Sequence, residues 1–492
     1  MASYFTLGER KARPGSYYRY ENDGPPPATG ADDGKSAALF VSDWGPLGKP
    51  STLSDVTEVE KIYGKGGASG STYIPVEQFK GGARQVAAMR LGSPDSCIPG
   101  TYQIMDESSP SKAVIQMTML HPGSRKFQVT VRPSLRDEGM SELLLLDGSA
   151  VLERFSFITP PLYDDDDGDG QLKIDHVDSL MEAVESEGSK YFKLTKISGS
   201  LEALAQVEQD PVTPGSDPSI DVAAYSDAME TLEAYRWNVF SVDTADPAVH
   251  SMARMYLNRV CQSGKFVMGV FAESSSVKLE DRLKHAAAFN DYQIVYVGNG
   301  LIGNDGAVFD GPRAAARVAG MIAGTPSNRS ITHMGVPDMA EVHSPLSNYD
   351  YERSILAGML TFSADSAGRP WIEQGINTLH DIKAGADEDE GWKKIKRTKI
   401  RFELFQRLSD TTDRLIGGIN NDDDGRMTVI QACNGICNLM VSEGKLLAGS
   451  DCELSQEIAP EGDSAWFNVY ADDIDSLEKS YFTFKFRFSP GE

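Results

Sequence analysis

Two acidic loops carry side chains whose type and spacing suggest metal chemistry. Each places oxygen-bearing residues at alternate positions before a turn glycine, as in the first half of a calcium-binding loop. The twelfth position, where a bidentate glutamate would close the ligand shell, is His176 in one loop and Gln431 in the other. Without that ligand, the sequence favours solvated turns and predicts no metal site. The alternating residues are Asp165, Asp167 and Asp169 before Gly170, and Asn420, Asp422 and Asp424 before Gly425.

Cysteine is the second candidate for chemistry, because thiolates bind zinc and act as nucleophiles. Cys433 and Cys437 are four residues apart, without a second ligand pair or a histidine nearby in the sequence. On a helix they share one face with apolar neighbours. We therefore predict buried, reduced thiols and no bound metal or cofactor. The five cysteines are Cys97, Cys261, Cys433, Cys437 and Cys452.

A small-residue stretch, residues 310–320, is similar to the helix that carries the nucleophile in subtilisin-type proteases. When the Val-Ala-Gly segments are superposed, the nucleophile's position is occupied by Pro312, which has neither a hydroxyl nor a thiol. None of the seven histidines lies in a segment suited to supply the base. Asp243, without such partners, is expected to be a turn or helix-capping residue. The sequence argues against an active hydrolase, although a degenerate serine hydrolase stays an alternative.

The net charge of the chain argues against two classes of partner, nucleic acids and membranes. The chain of 492 residues has 72 acidic and 47 basic residues and a net charge of −25, which repels phosphate backbones and anionic lipids. We expect no contact with nucleic acid or membrane. The start of the chain lacks the apolar core of a secretory signal, which predicts a chain kept in a cytosol. Glycines at 298–303 lack the spacing of a dinucleotide fingerprint and are interpreted as an ordinary loop.

One basic cluster stands against this acidic background, just before an alternating stretch at residues 400–405. It has two interpretations: the solvated face of a strand, or a docking surface for an acidic partner. The cluster consists of Lys393, Lys394, Lys396, Arg397 and Lys399.

The order of the predicted strands and helices that position these residues indicates an α/β multi-domain fold. Strand–helix–strand alternation indicates a mostly parallel sheet covered on both faces, and a run of short alternating stretches indicates an inserted antiparallel β-sandwich or barrel. The expected boundaries are 1–35 for an N-terminal arm and linker, 36–96 and 166–364 for the α/β domain, 97–165 for the inserted β domain, 365–480 for a C-terminal α+β domain and 481–492 for a C-terminal arm.

The last stretch is the strongest strand signal in the chain. Aromatic and polar residues alternate over 481–488, so that four phenylalanines share one face. That face must be buried by its own domain or by a neighbouring molecule. The four are Phe482, Phe484, Phe486 and Phe488.

Short segments in a fixed order resemble the contractile tail sheath proteins of myophages, prophages and related injection systems. Each is short, but together they extend along nearly the whole chain. They are 11–17 (KARPGSY), 43–46 (DWGP), 79–83 (FKGGA), 318–326 (VAGMIAGTP), 330–332 (SIT), 373–379 (EQGINTL), 416–426 and 475–479 (DSLEK).

The resemblance implies a structural subunit without enzymatic activity. Such subunits polymerise into a helical sleeve of stacked hexameric rings and contract to drive the tail tube through an envelope. It implies a subtilisin-like domain without catalytic residues, an outer β domain and a C-terminal domain facing the tube. The implied partners are other copies, the tail tube, baseplate and tail terminator proteins, in a virion tail or phage-tail-like particle assembled in bacterial cytoplasm. A host-binding tail protein is the other alternative.

The resemblance also implies roles for particular residues. Terminal arms would add strands to a neighbouring subunit's C-terminal sheet, and the basic cluster is a candidate tube-facing surface. The implied arm strands are Tyr4, Phe5, Thr6 and Leu7 at one end and Phe482, Phe484, Phe486 and Phe488 at the other.

Overall fold

The protein is a mixed α/β multi-domain chain that divides into two compact units. Unit 1 comprises Met1–Asp32 and Ile400–Ile474, and unit 2 comprises Asp33–Lys399 and Asp475–Glu492. No helix in the described part of the chain is both long and apolar enough to cross a membrane. The computed structural model describes residues 3–4, 17–18, 34–66, 70–137, 139–158, 162–163, 172–199 and 203–487.

The first part of the chain contains a parallel two-strand pair, an α/β segment and then a series of antiparallel strands. The elements are β1 (Ser3–Tyr4), β2 (Tyr17–Tyr18), β3 (Lys35–Phe40), β4 (Ser51–Leu53), α1 (Val56–Tyr63), α2 (Tyr73–Gly81), β5 (Gln85–Arg90), β6 (Pro99–Met105), β7 (Ala113–Pro122), β8 (Gln128–Pro133), β9 (Met140–Asp147), β10 (Ala150–Ile158), β11 (Leu162–Tyr163), β12 (Leu172–Ile174), α3 (His176–Glu187), β13 (Phe192–Lys196) and β14 (Val207–Pro211).

The second part alternates strands and helices and ends in a helix pair and a hairpin. The elements are α4 (Val222–Leu232), β15 (Val239–Val242), α5 (Pro247–Gln262), β16 (Met268–Ala272), α6 (Leu279–Phe289), β17 (Ile294–Val297), β18 (Gly300–Gly303), β19 (Val308–Phe309), α7 (Pro312–Gly324), β20 (Met339–His343), α8 (Asn348–Leu356), β21 (Met359–Leu360), β22 (Phe362–Ala364), β23 (Pro370–Ile372), α9 (Ile395–Thr412), α10 (Asp423–Ser442), β24 (Asp451–Leu454) and β25 (Phe467–Tyr470).

A seven-stranded sheet, counted over the described residues, forms the centre of unit 2, in the order β21-β17-β16-β15-β3-β5-β4. Its strands are parallel apart from β4. Ala37 and Leu39 pack into a core with α4, α5 and α6. On the other face, the Ser36 hydroxyl donates to the Gln78 side chain of α2 at 2.7 Å. Parallel strands buried on both faces read as continuous apolar runs, and the predicted doubly covered sheet is confirmed.

Two antiparallel sheets, β10-β9-β8-β14 and β13-β7-β6, share a second core in unit 2. β13 pairs with β7 and β14 with β8. Val177 and Leu180 of α3 are buried in the same core. The antiparallel region therefore continues past residue 165, where the sequence pattern places its end. The strands that complete it follow their partners by tens of residues, so no local pattern marks them.

The structure of residues 298–303 differs from the ordinary loop that the sequence predicts. Gly300–Gly303 is strand β18, paired antiparallel with β19 and β20, and is not a loop. The buried Asn299 side chain donates to the Phe362 carbonyl at 2.9 Å and accepts from the Phe362 amide at 2.8 Å. Glycine suits this strand because a Cβ at position 300 would lie 2.6 Å from the Phe309 carbonyl oxygen.

Unit 1 contains α9 from Ile400 onward, α10 and the β24–β25 hairpin. Residues 400–405, interpreted as a strand next to the basic cluster, lie within α9. Ile400 and Leu404, four residues apart, pack with Ile436 and Met440 of α10. This helical spacing determines the structure, and the apparent alternation is incidental. Unit 2 also extends to Lys399, beyond the predicted start of a C-terminal domain at 365.

Candidate assembly surface and its anchor

The C-terminal segment presents aromatic side chains to solvent. Residues 481–487 form no strand with any other described part of the chain. Phe482 and Phe484 are each 78% exposed and Phe486 is 93% exposed. Neighbouring apolar side chains left in water mark an interaction site. Among the described residues, the predicted arm residues Phe482, Phe484 and Phe486 thus have no strand to pair with and no surface that buries them. Phe488 lies outside the described residues.

Glu478 anchors the chain just before this segment. Its carboxylate accepts from the Thr332 hydroxyl at 2.9 Å and from the Gln374 amide at 3.0 Å, and lies 3.2 Å from Lys394 Nζ. The Glu478 side chain is only 9% exposed, so these donors replace the water that it loses. The chain is therefore fixed to the rest of unit 2 at Glu478, whereas residues 481–487 after it are exposed.

Lys394 belongs to both the basic cluster and this anchor. Its Nζ donates to Asp475 Oδ2 at 2.7 Å as well as contacting Glu478. Burial opposes the charged form, but the hydrogen bonds that Lys394 donates to Asp475 and Glu478, together with the negative charges of these carboxylates, outweigh it and raise the pKa of Lys394. The lysine thus stays protonated and pairs with the segment that precedes the arm.

Three further members of the basic cluster, Lys393, Lys396 and Lys399, are paired or buried within unit 2. Lys393 Nζ donates to Glu390 Oε1 at 2.9 Å, and Lys396 is buried. Lys399 Nζ donates to the carbonyls of Ile322 and Thr325 at the C-terminal end of α7, where a cation is favoured by the helix dipole. These contacts give the cluster a structural role, and its contact with a tube stays a prediction.

The β24–β25 hairpin has one strand edge that is capped and one that is open. Asn434 of α10 accepts from the Cys452 amide at 2.6 Å and donates to the Cys452 carbonyl at 3.4 Å. Cys452 is opposite Val469, so this is a pair whose main-chain groups point away from the partner strand. β25 pairs with β24 alone within the described residues. The amide and carbonyl of Val469 consequently point to an open edge.

An open groove of about 550 Å³ lies in unit 1 near the start of β25. Ile416, Arg426 and Trp466 line it, and the Ile416 side chain is largely exposed. The second acidic loop borders the groove. Asp422 accepts from the Gly425 amide at 2.8 Å and caps α10, while Asn421 donates to the carbonyls of Gly462 and Ser464. The loop is thus engaged in helix capping, and the first acidic loop lies outside the described residues.

At the N-terminal end, Ser3 and Tyr4 pair in parallel with Tyr17 and Tyr18. No sequence pattern predicted this pairing. The other three arm residues proposed there, Phe5, Thr6 and Leu7, lie outside the described residues.

The position expected for a nucleophile is structural. Pro312 is the first residue of α7. Asp243 accepts from the Tyr225 hydroxyl at 2.7 Å, from the Val41 amide at 3.1 Å and from the Ser71 hydroxyl. Burial raises the pKa of Asp243 despite these bonds. Asp243 therefore joins three segments from the bend directly after β15, and it does not cap the following helix, whose N-cap is Asp246.

His285 forms the one histidine–carboxylate contact recorded among the described residues, with Nδ1 2.9 Å from Glu273 Oε2. No serine hydroxyl in this part of the chain hydrogen-bonds to the His285 ring. The same residues contain no group of three or more His, Cys, Asp or Glu side chains placed to hold a metal ion. Nothing in this arrangement assembles a nucleophile, a base and an acid.

Comparison with known proteins identifies the fold and gives a family match over the central part of the chain. Residues 219–378 match the family model described as phage tail sheath protein central domain. The phage-like element PBSX protein XkdK of Bacillus subtilis is 21% identical over 506 residues, covering 97% of this chain and 98% of that protein.

Two solved structures share the fold along nearly the whole chain. The sheath tail protein of Desulfitobacterium hafniense has a TM-score of 0.70 at 19% identity, covering 94% of this chain and 98% of that one. The helical sheath of the anti-feeding prophage in its contracted state has a TM-score of 0.53 at 9% identity, with 95% and 98% covered. The resemblance found in the sequence is thereby confirmed: the chain has the fold of tail sheath proteins, and its residues 219–378 match the central domain of that family.

Proposed function

We propose that this chain is the structural subunit of a contractile tail sheath. It polymerises into a helical sleeve around a tail tube and contracts to drive the tube through the target envelope. The observation that carries the proposal is the exposed aromatic segment after Glu478 in a chain with a sheath fold. A protein that functions only as a monomer gains nothing from leaving three phenylalanines in water.

The segment after Glu478 is the donor of an inter-subunit strand. Phe482, Phe484 and Phe486 alternate with Thr483 and Lys485, so an extended segment has one apolar and one polar face. Strand addition to an exposed edge gains main-chain hydrogen bonds, and the side chains of one face supply the apolar contact. The segment needs a receiving edge and an apolar surface beside it.

The receiving edge is β25 of a neighbouring subunit. Asn434 blocks the outer edge of β24, while Val469 directs its amide and carbonyl outward from β25. Trp466 and Tyr470 are each more than a third exposed, lie on one face of the β25 strand and would cover the incoming phenylalanines.

The finer domain assignments follow from this role. The parallel sheet with Pro312 at the nucleophile's position is a subtilisin-like domain without catalytic residues. The two antiparallel sheets form a sandwich on the outside of the sleeve, and the α9–α10 region faces the tube. Partners are other copies of this chain, the tail tube and baseplate and tail terminator proteins, in a virion tail or phage-tail-like particle assembled in a bacterial cytoplasm.

Removal of the arm tests the proposal. The purified full chain should form rings or hollow tubes in electron micrographs, and a variant lacking residues 481–492 should remain a folded monomer. T483A/K485A, which leaves the phenylalanine face intact, is the matched control and should polymerise. Polymerisation of the truncated chain at the concentration that suffices for the full chain would refute the arm's role.

A further inference from the structure

A cleft lies along the outer edge of β6, in the antiparallel region of unit 2. At one end of it, Thr101 and Thr213 exchange two main-chain hydrogen bonds of 3.0 Å. At the other end, the Ala205 amide donates to the Met105 carbonyl at 2.9 Å. Between these two contacts the chain turns away from β6 as β14, which pairs with β8 of the other sheet. The resulting gap has a volume of about 400 Å³, within the range of ligand pockets.

The middle of β6 directs a main-chain donor and acceptor into this cleft. Gln103 lies two residues after Thr101 and opposite Gln116 in the regular pairing with β7. Every second residue of an antiparallel strand points its amide and carbonyl to the same edge, so those of Gln103 follow those of Thr101 into the gap. Neither group meets a partner there among the described residues. The cleft thus offers a hydrogen-bond donor and an acceptor side by side.

A bulge in β14 brings a carboxylate to the same cleft. The pairing register of β14 shifts between Val207 and Asp210, and Gln209 within the bulge has a left-handed backbone with φ +50°. Such a bulge redirects the side chains next to it. Asp210 Oδ2 accepts from the Tyr102 hydroxyl of β6 at 2.7 Å. The Asp210 side chain is exposed, so its other oxygen is open to a ligand.

The remaining polar side chains of the cleft are uncharged. Gln103 Nε2 donates to Gln116 Oε1 at 3.2 Å, which leaves the side-chain oxygen of Gln103 as a further acceptor. None of the described residues that line the cleft is basic, so Asp210 would repel a phosphate or an acidic sugar. Only residues 102–105 lie between the two closed ends, which is too short an edge for an extended peptide to join. A fitting ligand is therefore neutral, polar and compact.

We propose that this cleft binds a neutral saccharide. A sugar hydroxyl both donates and accepts, so neighbouring hydroxyls can bind the Asp210 carboxylate and the main-chain donor and acceptor of Gln103. The half-buried Tyr102 ring lines the cleft and offers an apolar face to the C–H groups of a sugar ring. One sugar ring makes few contacts and binds weakly, but many copies of the cleft on a polymer would raise the overall affinity. A single cleft binds without that polymer, so the site can be tested separately from the proposed sheath function.

The experiment applies the full chain to an array of neutral and acidic oligosaccharides. The strongest neutral ligand is then titrated by calorimetry, both as the oligosaccharide and as its free monosaccharides. Neutral saccharides should bind and acidic ones should not. Binding of the oligosaccharide alone would identify a glycan chain as the source, and binding of both forms would identify a single sugar ring as sufficient; each result supports the cleft.

Two variants with the same change of charge locate the site. D210N should weaken binding at least about tenfold, because hydrogen bonds to an ionised acceptor are roughly twice as strong as those between neutral groups. E208Q is the matched control, since it removes a negative charge from the same strand outside the cleft, and it should bind as the unaltered chain does.

Hydrogen exchange of the unaltered chain locates the ligand even if D210N does not fold. A saturating concentration of the saccharide should slow exchange in residues 101–105 and 205–213 at least about threefold, because the Gln103 amide would donate to the ligand. The proposal would be overturned if no neutral saccharide bound, if acidic saccharides bound better, or if protection were confined to other parts of the chain. Unchanged affinity in a D210N protein that unfolds at the same temperature as the unaltered chain would overturn it as well.

Discussion

Arg317 of α7 and Glu77 of α2 form an ion pair in which neither side chain is exposed, with Arg317 Nε 2.9 Å from Glu77 Oε2. Arg313 contacts the other carboxylate oxygen at 3.1 Å but is 30% exposed. Arg317 also donates to the Pro337 carbonyl at 2.6 Å. A carboxylate and guanidinium enclosed together hold the two helices in one relative position, because separating them would leave charges buried without partners.

Removing Arg317 should therefore destabilise the fold much more than removing Arg313. R317M leaves Glu77 with one partially solvated partner and should lower the free energy of unfolding by about 3–5 kcal/mol. R313M should cost about 1 kcal/mol or less, since its cation is partly in water. Urea unfolding of the full chain followed by tryptophan fluorescence measures both. Equal losses of unfolding free energy in R317M and R313M would show that the buried ion pair contributes no more to stability than the partly exposed one.

Glu478 should control the mobility of the segment before the arm. E478Q removes the charge that Lys394, Thr332 and Gln374 share, and hydrogen bonds to a charged group contribute about 1.5–3 kcal/mol each. Trypsin should cleave the native chain after Lys479 at least about tenfold faster, with the sheet unchanged. D475N should have a smaller effect, because the Asp475 side chain is 37% exposed. An unchanged rate of cleavage in E478Q would show that the anchor lies elsewhere.

Val469 provides a test of the receiving edge. V469P removes an amide that points outward from β25, so the hairpin should persist while an incoming strand loses a hydrogen bond. Tube formation should fall, whereas V469A, which keeps the amide, should assemble. N468P would break a bond inside the hairpin, since Asn468 is opposite Glu453 in a hydrogen-bonded pair. Normal tubes from V469P would exclude this edge.

The phenylalanine face should contribute to assembly and not to the stability of the monomer. F484S/F486S should abolish tubes and leave the unfolding midpoint of the monomer nearly unchanged, because both rings are exposed in the chain. Burial of each ring in a neighbour would contribute about 1.5–3 kcal/mol before ordering costs. Differential scanning calorimetry measures the unfolding midpoint of the monomer, and electron microscopy detects the tubes. A large drop in the midpoint would show that the segment completes its own subunit's core.

His121 predicts a loss of stability on acidification. Burial, and after it the nearby charges of Arg90 and Lys49, lower the pKa of His121 to about 4 in the folded protein. The unfolded state therefore binds a proton that the folded state does not as the pH falls below the ordinary histidine pKa of about 6.5. Stability attributable to His121 is present above that pH and declines towards pH 4, by at most about 1.4 kcal/mol per pH unit.

Denaturation of the full chain at pH 7, 5.5 and 4.5 measures this slope. H121Q should flatten the part of the profile between about pH 6.5 and 4. A profile that H121Q does not alter would mean that carboxylates dominate in this range.

The parallel sheet was predictable from local sequence, whereas the anchor was not. Strands such as Ala37–Phe40 are apolar on both faces, and turn residues bound them, so composition alone indicates them. Glu478 acquires its role from Thr332, Gln374 and Lys394, which lie far from it in the sequence. Such a contact follows from the packing of the whole domain and leaves no periodic pattern.

The error over residues 400–405 has a specific physical cause. Ile400, Phe402 and Leu404 are all buried, which reproduces the period of a strand over five residues. The helix is distinguished only over a longer window, from the partners on α10 at Ile436 and Met440. A short window therefore cannot separate a helix buried over a wide arc from a half-buried strand.

The anchor at Glu478 also sets a limit on distance. Residues 479–487 are nine residues, and nine residues in extended conformation span about 30 Å. A receiving strand must therefore remain within that radius of Glu478 before and after any rearrangement of the subunits. Inserting two residues after Lys479 would lengthen this radius by about 7 Å and keep the phenylalanines on the same face. Inserting one residue would lengthen this radius by half as much and would turn the phenylalanines to the opposite face of the strand. The length of the segment and the face that it presents to a neighbouring subunit can therefore be changed independently.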